Sequence, residues 1–149
     1  MKAITQKTNS IVFDDGRKEF LINDDPNKII RINTSDVGII NRADEAIKEI
    51  NRIAKQYKDG IGKGSLEAMA ACDKEIKKLI DFAFDYPVCE VMLGNASCLS
   101  TVEGEPLYLK ITNTLIDVIT PFLEEEKKKL EKNISKYKAQ ADKIKESIK

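Results

Sequence analysis

The chain has 149 residues, enough for one domain with a modest core, and its hydrophobic fraction of 42% and charged fraction of 34% predict a soluble, helix-rich protein. Its 25 Lys and Arg residues balance its 25 Asp and Glu residues, so no net charge attracts it to nucleic acid or to a membrane. It has no histidine, which removes the commonest general base and the commonest metal ligand and disfavours an enzyme.

Cysteine content and the lack of long apolar runs predict a location inside the cell. Cys72, Cys89 and Cys98 form no Cys-x-x-Cys motif, and we expect them to be free, reduced and buried as small hydrophobic residues. No apolar run approaches the roughly 18 residues that cross a bilayer, and the N-terminus lacks the apolar region of a signal peptide. We expect no cofactor and no metal site.

The N-terminal third predicts a small β element and a first long helix. After a flexible N-terminus at residues 1–9, we expect strands at 10–13, 18–23 and 28–32, which form an antiparallel β-meander with turns at 14–17 and 24–27. Thr34 or Ser35 then caps a helix that continues to about residue 58, and residues 59–64 form a flexible loop. The apolar residues of this helix recur at helical spacing. They are Ile40, Ala43, Ile47, Ile50, Ala54 and Tyr57, with Ile39, Ala46 and Ile53 on one flank.

Three further helical segments follow. Ser65 caps a helix that ends near residue 86, and Pro87 opens a short helix over 88–93, which Gly94 ends, before a loop at 95–104. The buried side of the longer helix is predicted to contain Leu66, Met69, Cys72, Ile76, Leu79, Ile80 and Ala83. Pro106 opens the last helical region, whose inward side contains Tyr108, Ile111, Leu115, Val118 and Phe122.

Pro121 divides this last region. Because a proline inside a helix costs about 3 kcal/mol, we expect a kink or break at Thr120, with Thr120 capping a new helix. The predicted fold is therefore α+β: a short N-terminal β-meander and a mainly helical body over residues 10–122, and then a long, proline-kinked C-terminal helix. Residues 123–149 form a charged helical arm that we expect to project from the body.

Six apolar residues of this arm recur at steps of 4, 3, 4, 3 and 4, the heptad spacing that keeps one stripe of a helix facing a partner helix. Such a stripe is either a packing face within the chain or a docking site for another chain, and the pattern leaves both open. The candidate partner-binding residues, here called the arm stripe, are Leu130, Ile134, Tyr137, Ala141, Ile144 and Ile148.

Three motifs that could carry chemistry have plainer explanations. Gly62-Lys63-Gly64-Ser65 lacks the first glycine of a phosphate-binding P-loop and has Gly64 where Ser or Thr is needed, which favours an ordinary interhelical loop. The paired aspartates at 14–15 and 24–25 lack the alternating spacing of a calcium loop and favour turns. No serine lies on a strand-to-helix elbow that would suit a Ser–Lys dyad.

The order and spacing of three segments resemble a known family. A short β element leads into INTSDVGI at residues 32–39, a second helix ends in DFAFDYPVCEVMLG at 81–94, and residues 116–122 continue into a Lys/Glu-rich tail containing Ser135-Lys136-Tyr137. This arrangement resembles the small tail assembly chaperone-like proteins of long-tailed phages and prophages of Gram-positive bacteria.

The resemblance implies a non-enzymatic role in the cytoplasm of the bacterial host. Such proteins are thought to coat the tape measure protein, to recruit tail tube subunits and to leave the finished particle. We also expect self-association, through the meander edge, the arm or both. Two other interpretations stay open: a structural virion component, such as a connector or minor tail protein, and an unrelated cytoplasmic helical adaptor.

Overall fold

The computed structural model describes residues 8–148 and has the predicted α+β architecture. Residues 1–7 of the predicted flexible N-terminus lie outside the described residues. The elements are β1 (Arg17–Ile22), β2 (Asp25–Asn33), α1 (Gly38–Gly62), α2 (Leu66–Phe84), α3 (Val88–Leu93), β3 (Thr101–Val102), β4 (Glu105–Pro106) and α4 (Leu107–Ile148).

The N-terminal β element is a two-stranded antiparallel hairpin. Asn23 and Asp24 have φ values of 53° and 59°, as a tight two-residue turn requires. The pairing then slips: Leu21 faces Ile29 but Ile22 faces Asp25, so residues 26–28 have no partner on β1. The predicted turn at 24–27 is therefore a tighter turn followed by a bulge that accommodates the proline at position 26.

The predicted strand at 10–13 is wrong, so the meander is a hairpin. Residues 10–13 adopt no regular structure, and Ile11 and Val12 are 89% and 93% exposed. Two consecutive apolar residues place side chains on opposite faces of a strand, and no second layer covers either face here. The next residues turn the chain instead, because the Asp14 carboxylate accepts a hydrogen bond from the Gly16 N–H at 2.9 Å.

Hydrogen bonds to the Gly16 carbonyl connect this turn to the end of the hairpin. Its carbonyl accepts hydrogen bonds from the N–H and the hydroxyl of Thr34, both at 3.2 Å. Its φ is +87°, and a Cβ added to it would lie 2.6 Å from the Cβ of Ser35. Both the backbone conformation and the close approach therefore require glycine.

Gly16→Ala is expected to lower the free energy of unfolding by about 2–3 kcal/mol, measured by urea denaturation. Gly64→Ala is the matched control, because Gly64 also has a positive φ, +76°, but has no atom within 4 Å of an added Cβ. The control should cost only about 1 kcal/mol. Equal losses for the two variants would contradict a contribution from the contact with Ser35.

Helix α1 begins later and ends later than predicted. Thr34 and Ser35 do not cap it; the Asp36 carboxylate instead accepts a hydrogen bond from the Gly38 N–H at 2.8 Å. The predicted loop at 59–64 is helical up to Gly62. A Cβ on Gly60 would lie 2.8 Å from the Cβ of Ala68, so this glycine allows α1 to pack closely on α2 and is not a loop residue.

One core joins the hairpin, α1, α2, α3 and α4. On α1, the predicted flank residues are buried together with Ala43 and Ile50 of the main series, whereas Ile40 is 39% exposed. On α2, Leu66 is 80% exposed, contrary to prediction. Cys72, Cys89 and Cys98 are buried and free, as predicted. The largest contributors to the core are Ile30, Ile32, Ile39, Ile50, Ile76, Ile80, Phe84, Val88, Leu115 and Ile119.

Two aspartates of α2 hold the connection to α4. The Asp81 carboxylate accepts from the Cys89 N–H at 3.0 Å, and that of Asp73 accepts from the Cys98 N–H at 2.7 Å. The predicted helix at 88–93 is present as α3. The segment at 95–104 was predicted as a loop. It contains β3, which pairs with β4 in a short antiparallel hairpin with two residues in each strand.

Helix α4 continues through Pro121, so a break at Thr120, one of the two predicted alternatives, is wrong, and the other alternative, a kink, stays a prediction. Its 42 residues extend about 63 Å at the usual helical rise. Thr120 does not cap a new helix; its hydroxyl donates to the Ile116 carbonyl at 2.7 Å within the same helix. A proline removes one backbone donor, and the buried Ile119 next to it keeps the preceding turns packed on the body.

Candidate interaction surface

The arm stripe lies on the part of α4 that leaves the body. Every residue from 124 to 148 is exposed, so no described part of the chain covers this segment. Ile134 and Ile144 are 55% and 60% exposed, although both are large and apolar. The structure therefore places all six predicted residues on one uninterrupted, uncovered helix, and their role in binding a partner stays a prediction.

The stripe continues into the body along the same helix. Ile116 and Leu123 precede Leu130 at the same heptad spacing, and both line a groove of about 680 Å³ between α4 and the start of α1. Val37 and Ile40 form the opposite wall, and Val37 is 81% exposed. The groove thus meets the arm stripe at Leu130, and Lys127, which also lines the groove, is the one polar residue on the seam between Leu123 and Leu130.

The sequence did not predict the residues on the α1 side of this groove. Ile40 belongs to the apolar series predicted for α1, and Val37 precedes the helix without any periodic partner. The heptad spacing back to Leu123 and Ile116 is visible in the sequence and could have revealed the α4 side.

An ion pair keeps the α1 wall of the groove in place. The Arg42 guanidinium pairs with Asp36 at 2.6 Å and also donates to the Ala83 carbonyl at 3.1 Å, which joins the start of α1 to the end of α2. Burial alone would raise the pKa of Asp36, but hydrogen bonds from Arg42 and the Gly38 N–H outweigh it and lower that pKa. Arg42 therefore connects the segment before α1, through Asp36, to the end of α2.

The hairpin supports α4 at the base of the arm. The rings of Phe20 and Phe122 meet edge to face with 6.0 Å between centroids, and the Lys18 ammonium lies 5.6 Å from the Phe122 ring centre. Such contacts contribute roughly 0.5–1.5 kcal/mol each. They fix the helix where it leaves the body, so the arm starts from a supported position.

The three cysteine thiols are buried in the core. Burial, and then the nearby Asp81 and Asp73 respectively, raises the pKa values of the Cys89 and Cys98 thiols, which keeps them protonated and poorly nucleophilic. Within residues 8–148, no three His, Cys, Asp or Glu side chains are arranged to hold a metal ion. None of the helices in this part of the chain combines the length and apolar character needed to cross a bilayer.

The fold and surface define an α+β protein whose main exposed feature is an apolar helical stripe with a groove at its base. No family model, curated protein or solved structure shows significant similarity to this chain. The resemblance to tail assembly chaperones therefore remains a prediction from the order of its segments.

Proposed function

We propose that this protein is a non-enzymatic tail assembly chaperone of a long-tailed phage or prophage, acting in the cytoplasm of the bacterial host. It binds the tape measure protein, keeps it soluble and recruits tail tube subunits. The observation that carries this proposal is the arm stripe, because an exposed heptad stripe on a projecting helix is suited to binding another helix.

The physical character of the surface supports a transient role. A tape measure protein is long and helical, so many copies of a small helix-binding protein can line up along it. Weak contacts repeated along one client add up by multivalency, and each of them can still be displaced when tube subunits arrive. Equal numbers of acidic and basic residues leave no strong field that would draw the chaperone to the genome instead.

Co-expression with a tape measure protein tests the proposal. We expect the tape measure protein to move from the insoluble to the soluble fraction and to co-purify with this chain, whereas an unrelated helical protein of similar length should not. A tape measure protein that stays insoluble would contradict a chaperone role.

Mass spectrometry of purified particles separates the chaperone from a structural virion component. A chaperone should be absent from finished particles, and stoichiometric amounts of the chain in them would favour a connector or minor tail protein. Tail tube and tape measure genes on either side of its own gene would argue against an unrelated host adaptor.

A further inference from the structure

The charges on one flank of the arm change sign halfway along it. One flank of the stripe is formed by the residues that directly follow Leu123, Leu130, Tyr137 and Ile144. These four flank residues are acidic in the first half of the arm and basic in the second half. All four are exposed, and the ion pairs formed within the described arm join Lys129 to Glu125 and Glu126 and leave these four free. The flank residues are Glu124, Glu131, Lys138 and Lys145.

We propose that the arm pairs with the arm of a second copy of this chain in an antiparallel two-stranded coiled coil. In an antiparallel pair, flank residues of this kind face one another across the interface, and their charges select the orientation. Glu124 then faces Lys145 of the second copy, and Glu131 faces its Lys138. Because the arrangement has two-fold symmetry, each contact occurs twice and all four are attractive.

The same register brings the apolar residues into contact. Ile134 lies opposite Tyr137 of the second copy at the centre, and Leu130 lies opposite Ala141, so that a large residue meets a small one. Leu123 lies opposite Ile148 at each end. The remaining layer places Lys127 opposite Ile144, where the methylene stem of the lysine covers the isoleucine and its ammonium reaches solvent.

Other arrangements of two arms bring like charges together. If one antiparallel arm slides by one heptad in one direction, Glu131 lies opposite Glu131 of the second copy. If it slides by one heptad in the other direction, Lys138 lies opposite Lys138 of the second copy. A parallel pair places Glu126 beside Glu131 of the second copy. The charge pattern therefore favours one orientation and one register and disfavours the nearest competitors.

This register also supplies an occupant for the groove. The end of the second arm reaches Leu123, so its Ile144 and Ile148 arrive beside Val37 and Ile40, the exposed apolar residues of the opposite wall. The pairing goes beyond the proposed function and does not depend on it. A client helix would compete with the second copy for the same stripe.

Charge reversals measured by sedimentation equilibrium test the orientation as well as the pairing. The full chain is expected to form a dimer. Glu131→Lys, which creates two repulsive contacts with Lys138, should raise the dissociation constant on the order of tenfold. The double variant Glu131→Lys/Lys138→Glu should restore pairing. Glu146→Lys, the same charge change on the outer face of the arm, is the control and should have no effect.

Two outcomes would overturn the proposal. A chain that stays monomeric at hundreds of micromolar would exclude the pairing. Tighter association of Glu131→Lys would indicate parallel arms, in which the new lysine would meet Glu126.

Disulfide trapping gives a second, independent measurement. A mixture of Leu130→Cys and Ala141→Cys chains should form a bridged heterodimer, since the two positions face each other in the proposed register. The three native cysteines are buried and do not compete for oxidation. Ala141→Cys alone should not bridge, and a bridged homodimer of that variant would overturn the antiparallel arrangement.

Discussion

Replacing Ile134 and Ile144 together by aspartate is expected to abolish capture of the tape measure protein, with at least a hundredfold loss of affinity. Each substitution places an unpaired carboxylate in a helix–helix contact that must exclude water, which costs several kcal/mol. Titration of the labelled client fragment into each variant measures the loss. Both positions are more than half exposed, so the body should remain folded with an unchanged urea midpoint.

The control variant is Ala139→Asp, which introduces the same charge on the outer face of the same helix. It should leave capture unchanged, because Ala139 lies on the side of the helix away from the arm stripe. Capture that survives the double substitution would show that the client binds elsewhere. An equal loss of affinity for the client in the control variant would indicate a general effect of charge and not a contact through the arm stripe.

Phe84→Ala is expected to lower the free energy of unfolding by about 3–5 kcal/mol, the usual cost of removing a buried aromatic side chain. Phe84 is 0% exposed at the end of α2, where the hairpin, α1 and α3 meet the core. Because a domain of this size is stable by only about 5–15 kcal/mol, the variant should lose much of its stability in urea denaturation.

Phe82→Ala is the matched control, since Phe82 is on the same helix but is 71% exposed. It should change the free energy of unfolding by less than about 0.5 kcal/mol. Similar losses at both positions would mean that α2 packs on the body through a different face.

Helical spacing predicted most of the body correctly. The positions of α2 and α3, the capping by Ser65, the burial of the cysteines and the long final helix all follow from local signals that act over a few residues. The arm stripe is of the same kind, because a heptad repeat is visible without knowledge of the rest of the fold.

The wrong or missing predictions occur where tertiary contacts outweigh the local conformational preference of a residue. Gly60 looked like a loop residue, but its missing side chain allows close packing on Ala68. Pro121 looked like a helix end, yet the packing of Ile119 and the hydroxyl of Thr120 hold the helix through it. The groove wall at Val37 could not be predicted, because it depends on how α1 and α4 cross in space.

Helix α4 has its first turns packed in the core and its last 25 described residues exposed. Ile148 lies 26 positions after Phe122, so a tilt of about 5° at the base would move the tip by roughly 3 Å, given the usual rise per residue. Leu115 and Ile119 are buried near the base of this helix, so a small shift in their packing would produce a larger displacement at the far end.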